Sequence, residues 1–424
     1  MSRSTRTAVI GAGVTGLAAG ATSGATVFEQ SDGPGGICRS YYVRPGTNEP
    51  LACPTVDEGA YRFEVGGGHW IFGGDPDTIA MLESLAPLRV YTRMAAVRFG
   101  ALGRSVPYPL QAHLEDLGAD LAERAGREIA VSPPTSEASP TLAAWLESSF
   151  GPTLCHLFFF PFHDRYTAGL TGSIAPQDGY KSPSARERGY NATFRYPVGG
   201  LDQLAAGLAQ RCDIQYGRRV VGIETKERLL RFSDGSEHGY NRLVSTLPLH
   251  TAIAAAGLVV DDAPDPHTSV LVLNLGGVRG PTCPDVHWQY EPDSSSGFHR
   301  IGFYSNVEPD FLPAGSRNGT HVSMYVERAF PGGRRDHPFD IDAYTDAVID
   351  ELQGRGYIRR IEAVHPSWVD VAYTWRYSGS RWREHALGAL ADAGIEQVGR
   401  YARWHFQGIA DSIRDGVSAG HAVL

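Results

Sequence analysis

Three glycines near the N-terminus constrain this chain most. Gly11, Gly13 and Gly16 form a Gly-x-Gly-x-x-Gly run directly after the apolar stretch Ala8-Val9-Ile10. The pattern predicts a strand, a tight turn, a helix, and a second strand over Ala25–Phe28 that ends at Glu29. In such a βαβ unit the first glycine permits the turn, the second lets the backbone approach a pyrophosphate, and the third lets helix and strand pack closely. The helix N-terminus offers unpaired N–H groups and a partial positive charge to phosphate. Glu29 stands where an acid accepts hydrogen bonds from ribose hydroxyls. A glycine-rich turn alone is common. Strand, turn, helix, strand and acid in order point to a dinucleotide site.

The next stretch narrows the nucleotide. Gly35-Gly36 follows the acid closely and leads into Ile37-Cys38-Arg39-Ser40. A glycine pair there lets the chain turn back beside a pyrophosphate, although a plain loop fits the same residues. The segment resembles the flavoprotein family of amine oxidases, protoporphyrinogen oxidase and UDP-galactopyranose mutase. That resemblance implies FAD, with Gly35, Gly36 and Arg39 beside it.

At 424 residues the chain can bury a large core and split into about two or three lobes. The net charge of −9 argues against a nonspecific nucleic-acid surface. No apolar run approaches the length of a membrane span; Leu157-Phe158-Phe159-Phe160 is far too short. Five scattered cysteines (38, 53, 155, 212 and 283) without Cys-x-x-Cys spacing suggest reduced thiols, a cytoplasmic setting and no structural metal.

The expected fold is α/β. The flavoprotein resemblance implies a Rossmann-like FAD-binding domain drawn from the discontinuous segments 1–85, 190–250 and 395–424. A mainly helical insertion spans 86–189, with helices over Leu114–Gly126 and Thr141–Phe150 joined by the Pro/Ser-rich connector Val131–Pro140. A mixed β-sheet substrate domain spans 251–394.

Several constellations carry polar chemistry. Gly66-Gly67-Gly68-His69 can bring backbone N–H groups and an imidazole against a flat ring; a locally satisfied loop histidine fits as well. Tyr108 and Gln111, on a proline-bounded segment, suit a nucleobase or simple packing. Trp288–Tyr290 and Phe298–Arg300 flank an acidic, serine-rich turn, a hairpin that can set Tyr290 and Arg300 on one side. An arginine with a neutral donor suits a diphosphate; a surface cation near a structural tyrosine is the plainer alternative. Gly399 and Arg400 precede a last helix over Asp411–Ala422, whose N-terminus, with Asp411 and Ser412, is a second place for the cofactor.

In order along nearly the whole chain, these pieces resemble the UDP-galactopyranose mutase family, especially its eukaryotic type. The matches are Gly67–Phe72, Val106–Gln111, an altered Pro161–Tyr166, Asn191–Pro197, the Tyr290–Arg300 hairpin with Ser305-Asn306, and Gly399–Trp404. The resemblance implies reduced FAD, with NADPH or NADH as reductant, and interconversion of an NDP-hexose between pyranose and furanose forms through a flavin N5–sugar adduct without net redox. It implies a nucleotide-sugar partner, UDP-linked by preference, and leaves the oligomeric state open. Arg300 and Lys181 would meet the diphosphate, Tyr290 and Tyr377 would add phosphate hydrogen bonds, and Asn191 would hold the sugar. Tyr108 and Gln111 would contact the base, Gly68 and His69 the flavin, and Arg400 the cofactor, with Arg93 a weaker candidate for the reductant.

Four positions depart from the family pattern: Lys181 for an arginine, Tyr166 for a tryptophan, Phe406 for a tyrosine and Leu110 for a phenylalanine. All lie on the substrate side, which points to altered specificity or reduced activity. An amine oxidase or desaturase-like flavoenzyme is the alternative, and a silent binding protein a third.

Overall fold

The computed structural model describes residues 7–131, 139–176, 192–333 and 339–422. The apolar run before the glycine turn forms the strand Thr7–Ile10, buried along its whole length. It is the middle strand of a five-stranded sheet with the order Asp213–Gln215, Thr26–Phe28, Thr7–Ile10, Arg242–Ser245 and Ile395–Gln397. All four pairings are parallel. Parallel neighbours need crossover connections, and here the chain leaves the sheet for long excursions before returning. The Rossmann-like sheet is therefore discontinuous in sequence, as expected.

Two helices lie together against this sheet. Val14–Ser23 follows the glycine turn, and Ile409–His421 closes the described chain. Their approach is set by missing side chains. A Cβ on residue 416 would fall 2.2 Å from the Thr15 carbonyl oxygen, and one on residue 420 would fall 2.5 Å from Thr22 Cβ. A Cβ on residue 16 would fall 1.9 Å from the Gly11 carbonyl oxygen, so the third glycine of the motif performs the packing role read from the sequence.

A seven-stranded sheet forms the second layer. Its order is Ile358–Thr374, His267–Arg279, His321–Pro331, Arg300–Phe303, Trp288–Tyr290, Ala95–Phe99 and Arg104–Pro107. Trp288–Tyr290 pairs in parallel with Ala95–Phe99, and the other pairings are antiparallel. In register, Tyr290 faces Arg300 and Arg300 faces Glu327. Cross-strand partners project from the same face of a sheet, so these three side chains form one row.

The segment expected to be mainly helical differs in two respects. Val97, Phe99 and Val106 are fully or nearly fully buried, and their strands extend the large sheet. The helix expected over Leu114–Gly126 is also shifted. Gly118, at φ +97, ends a short 3-10 turn over Leu114–Leu117, and the α-helix runs over Ala119–Ala130. Thr141 caps the next helix by accepting from Ala144 N at 3.2 Å, and that helix runs over Leu142–Leu154 with a kink at Gly151. Most of the connector Val131–Pro140 lies outside the described residues. The helical lobe buries its own aromatic core, including Phe150, Phe158, Phe159 and Phe162.

The glycine-cleared helix crossing gives a direct test. Gly416→Ala should destabilise the fold by about 1–3 kcal/mol through overpacking against rigid backbone. Thermal denaturation reads this as a lower Tm, and an unchanged Tm would contradict the close-approach account.

Candidate functional site

One continuous cavity of about 1140 Å³ lies where the parallel sheet, the large sheet and the helical lobe meet. Its nucleotide end is walled by Gly11, Gly13, Glu29, Gly35 and Gly36. Gly13 and Gly35 bridge the two glycine turns side by side, and a Cβ at Gly13 would meet only open space. The helix Val14–Ser23 starts at Gly13 with no side chain capping it. Its first N–H groups are thus left for an anion. Glu29 ties the two turns together, with Oε2 accepting from Ala12 N at 2.7 Å and Oε1 from Ser31 N at 2.9 Å. Oε1 also accepts from Ser31 Oγ at 2.8 Å, so Oε2 is the oxygen that retains acceptor capacity for a hydroxyl.

The second helix N-terminus reaches the same cavity through Gly408, Ile409, Asp411 and Ser412. Here the polar side chains are partly spoken for. Asp411 accepts from Gly408 N at 3.3 Å and from Arg414 Nη2 at 2.8 Å, while Ser412 Oγ accepts from Gln407 Nε2 at 3.0 Å. Gly399 and Arg400 stand beside it. Arg400 donates to the backbone oxygens of Gln407 and Ala372, lies over the Tyr373, Tyr401 and Phe406 rings, and keeps a buried Nε without a partner.

The middle of the cavity holds Gly66, Gly68 and His69. His69 Nδ1 is buried without a hydrogen-bond partner of good geometry. Burial, then the Arg400 charge, pushes its pKa down to about 4, so the ring is neutral near pH 7. An open glycine cradle, an uncapped helix and two buried unpaired nitrogens fit a dinucleotide with an attached polar ring. By this fit, Gly11, Gly13, Glu29, Gly35 and Gly36 would hold the phosphates and ribose, and His69 and Arg400 would meet the ring.

Tyr290, Arg300 and Glu327 occupy the far wall with Tyr108, Gln111 and Tyr166, while Phe406 lines the cavity under Arg400. The sequence hairpin is thus present, with Tyr290 and Arg300 as cross-strand partners. Glu327 was not anticipated. It lies 2.7 and 2.8 Å from Arg300 Nη2 and Nε as a two-point pair, and its side chain is 2% exposed. Burial alone would disfavour its charge, but Arg300 beside it prevails and holds the carboxylate at about 2. The legible signal was a lone acid in the strand run His321–Pro331, which is otherwise mostly buried and apolar at its centre. His299, also unanticipated, is buried with Nε2 3.5 Å from Glu327 Oε2.

Three assignments from sequence need correction. Tyr377 is 37% exposed and lies off the cavity, its backbone tied to Asp265. Tyr373 lines the cavity instead, edge-on to Tyr166 at 4.5 Å. The strand Ile358–Thr374 ends just after it, so the chain beyond turns away from the site. Arg39 does not line the cavity. It pairs with Asp32 at 3.3 Å and packs on Gly33 and Gly35 from outside, bracing the turn. Leu110 is fully buried in the aromatic core of the helical lobe rather than facing a base. Lys181 and Asn191 lie outside the described residues. Gly16 lies behind the wall, in its packing role. Arg93 lines the cavity with its guanidinium 5.7 Å from the Tyr108 ring centre.

Comparison with known proteins agrees with this architecture. The family model for flavin-containing amine oxidoreductases matches residues 17–424. The chain belongs to this family of FAD-binding proteins. Among solved structures it is similar to a reduced UDP-galactopyranose mutase, with a TM-score of 0.82 and 20% identity, covering 99% of this chain and 94% of that one. It is also similar to a putative protoporphyrinogen oxidase from Exiguobacterium sp. 255-15, with a TM-score of 0.71, 14% identity and coverage of 99% and 98%. A putrescine oxidase bound to putrescine follows with a TM-score of 0.61, 16% identity and coverage of 99% and 98%. At these identities the likeness is one of fold. No curated protein matches the chain in sequence. No helix among the described residues is long and apolar enough to cross a membrane.

The depressed His69 pKa has a pH consequence. Unfolded histidine binds a proton below about 6.5, whereas folded His69 binds one only near 4. The unfolded state therefore holds more protons between these values, and the His69 contribution to stability falls as pH drops through that window. Chemical denaturation of wild type and His69→Gln at pH 7 and pH 4 should show the variant gaining roughly 2–3 kcal/mol relative to wild type at the lower pH. A pH-independent difference would contradict a neutral, buried His69.

Proposed function

We propose that the protein is a flavin-dependent nucleotide-sugar mutase that interconverts pyranose and furanose forms of an NDP-hexose, UDP-galactose or a related sugar nucleotide. The carrying observation is the cross-strand pair of Tyr290 and Arg300 on the wall of the same cavity as the glycine cradle. Reduced FAD, when bound, supplies the nucleophile for a reaction at the anomeric carbon without net redox. NADPH or NADH is the proposed reductant.

In this reading the protein's own residues orient and exclude. Arg300 offers charge-assisted hydrogen bonds to the leaving diphosphate, and Tyr290 adds a neutral donor. Tyr373 takes the phosphate-side place first given to Tyr377. Tyr108 and Gln111 serve the base, and Phe162 with Tyr166 closes the wall against water. Neutral His69 can donate or accept toward the flavin without adding charge. Lys181 and Asn191 keep their proposed roles toward diphosphate and sugar.

A second reading has its own support. Glu327 cancels the Arg300 charge, and Phe150, Phe159 and Phe162 line part of the cavity. Such a wall also suits an amine or apolar substrate oxidised with oxygen.

Titration of the flavin-loaded protein with UDP separates the two. The mutase reading expects saturable UDP binding, weakened about tenfold or more in Tyr290→Phe through loss of a charge-assisted bond. It also expects no amine-dependent oxygen uptake. Oxygen uptake with an amine, and no UDP binding, would replace it with the oxidase reading.

A further inference from the structure

We propose that Glu327 is a positioning residue for Arg300 and sets how strongly the cavity attracts a phosphate anion. This rests on the reading of Arg300 as the diphosphate-binding group.

Glu327 is held from several directions. It is cross-strand partner to Arg300 on one side and Val272 on the other. Its Oε1 lies 2.8 Å from where a Cβ of Gly67 would be, so the glycine loop that carries His69 is moulded around this carboxylate. His299 Nε2 stands 3.5 Å from Oε2. A carboxylate so enclosed has little freedom to swing away when a ligand arrives.

Its effect on Arg300 is directional. The carboxylate takes the Nε and Nη2 edge of the guanidinium. Nη1 makes no hydrogen bond among the described residues, and the side chain is 20% exposed. A planar guanidinium gripped along one edge can turn only as its partner turns. The remaining edge is thereby fixed as the one presented to a ligand.

Its effect on charge is opposite in sense. Arg300 and Glu327 together carry no net charge, so Arg300 contributes geometry rather than long-range attraction. Arg400, also on the cavity wall, has no ion-pair partner among the described residues and supplies uncompensated positive charge. Removing the charge at 327 should therefore improve anion affinity while loosening the guanidinium that must align the leaving group. A merely structural glutamate would not split the two quantities.

The test uses flavin-loaded wild type, Glu327→Gln and Glu327→Asp. UDP and inorganic pyrophosphate are titrated by calorimetry, and pyranose–furanose exchange is followed after anaerobic reduction. Flavin content and Tm verify folding. Glu327→Gln should bind UDP about tenfold more tightly and turn over about tenfold or more slowly. Glu327→Asp keeps the charge but withdraws it by one methylene, so turnover should fall without the gain in affinity. If Glu327→Gln does not fold, the aspartate variant decides, and wild-type turnover from it would overturn the proposal. Folded Glu327→Gln with unchanged or weaker UDP binding would overturn it while leaving the mutase reading standing. Absence of UDP binding by wild type would overturn both.

Discussion

The close crossing of the first and last helices is the constraint on which the rest depends. The chain must return to the parallel sheet after two long excursions, and Ile409–His421 must then seat against Val14–Ser23. Gly416 and Gly420 remove the side chains that would prevent this, and Gly16 lets the first helix sit against the glycine turn. The seating brings two helix N-termini to one cavity and sets Arg400 beside it. It also closes the junction with the large sheet, whose Tyr290–Arg300–Glu327 row then faces the same space.

Electrostatics divides that space. At the nucleotide end the wall offers backbone N–H groups and a carboxylate already used to tie the turns. At the far end, positive and negative charges are paired in register across adjacent strands. A buried ion pair of this kind is weak support for stability but costly to break by removing one partner, commonly about 3–5 kcal/mol. It persists where it defines geometry. Between the two ends, His69 and Arg400 each keep a buried nitrogen without a partner, which a polar ring edge would complete.

Much of this was legible in the sequence. The βαβ unit and the Tyr290–Arg300 hairpin follow from glycine spacing, apolar runs and turn residues, all of which are local signals, whereas the discontinuous sheet was expected from the flavoprotein resemblance. Tyr377 failed because the end of a strand decides whether a tyrosine at 373 or 377 meets the cavity, and local sequence does not fix that end. Arg39 and Leu110 failed because their partners, Asp32 with the outer side of the turn and the aromatic core, are set by packing. Glu327 is distant from Arg300 in sequence, and only strand register joins them. The helical segment 86–189 hid the strands Leu88–Thr92 and Ala95–Phe99 because their partners, Thr193–Pro197 and Trp288–Tyr290, lie far along the chain, and Arg104–Pro107 joins the large sheet only through Ala95–Phe99.

The central claim is a reaction that needs reduced flavin yet leaves no net redox change. The most direct measurement is anaerobic incubation of the flavin-loaded protein, oxidised and dithionite-reduced, with UDP-, dTDP- and GDP-linked pyranoses and furanoses, followed by NMR of the products. The account predicts pyranose–furanose conversion of one nucleotide sugar in the reduced sample and none in the oxidised one. Conversion of no donor in either state, with oxygen-dependent turnover of an amine or apolar substrate, would contradict it.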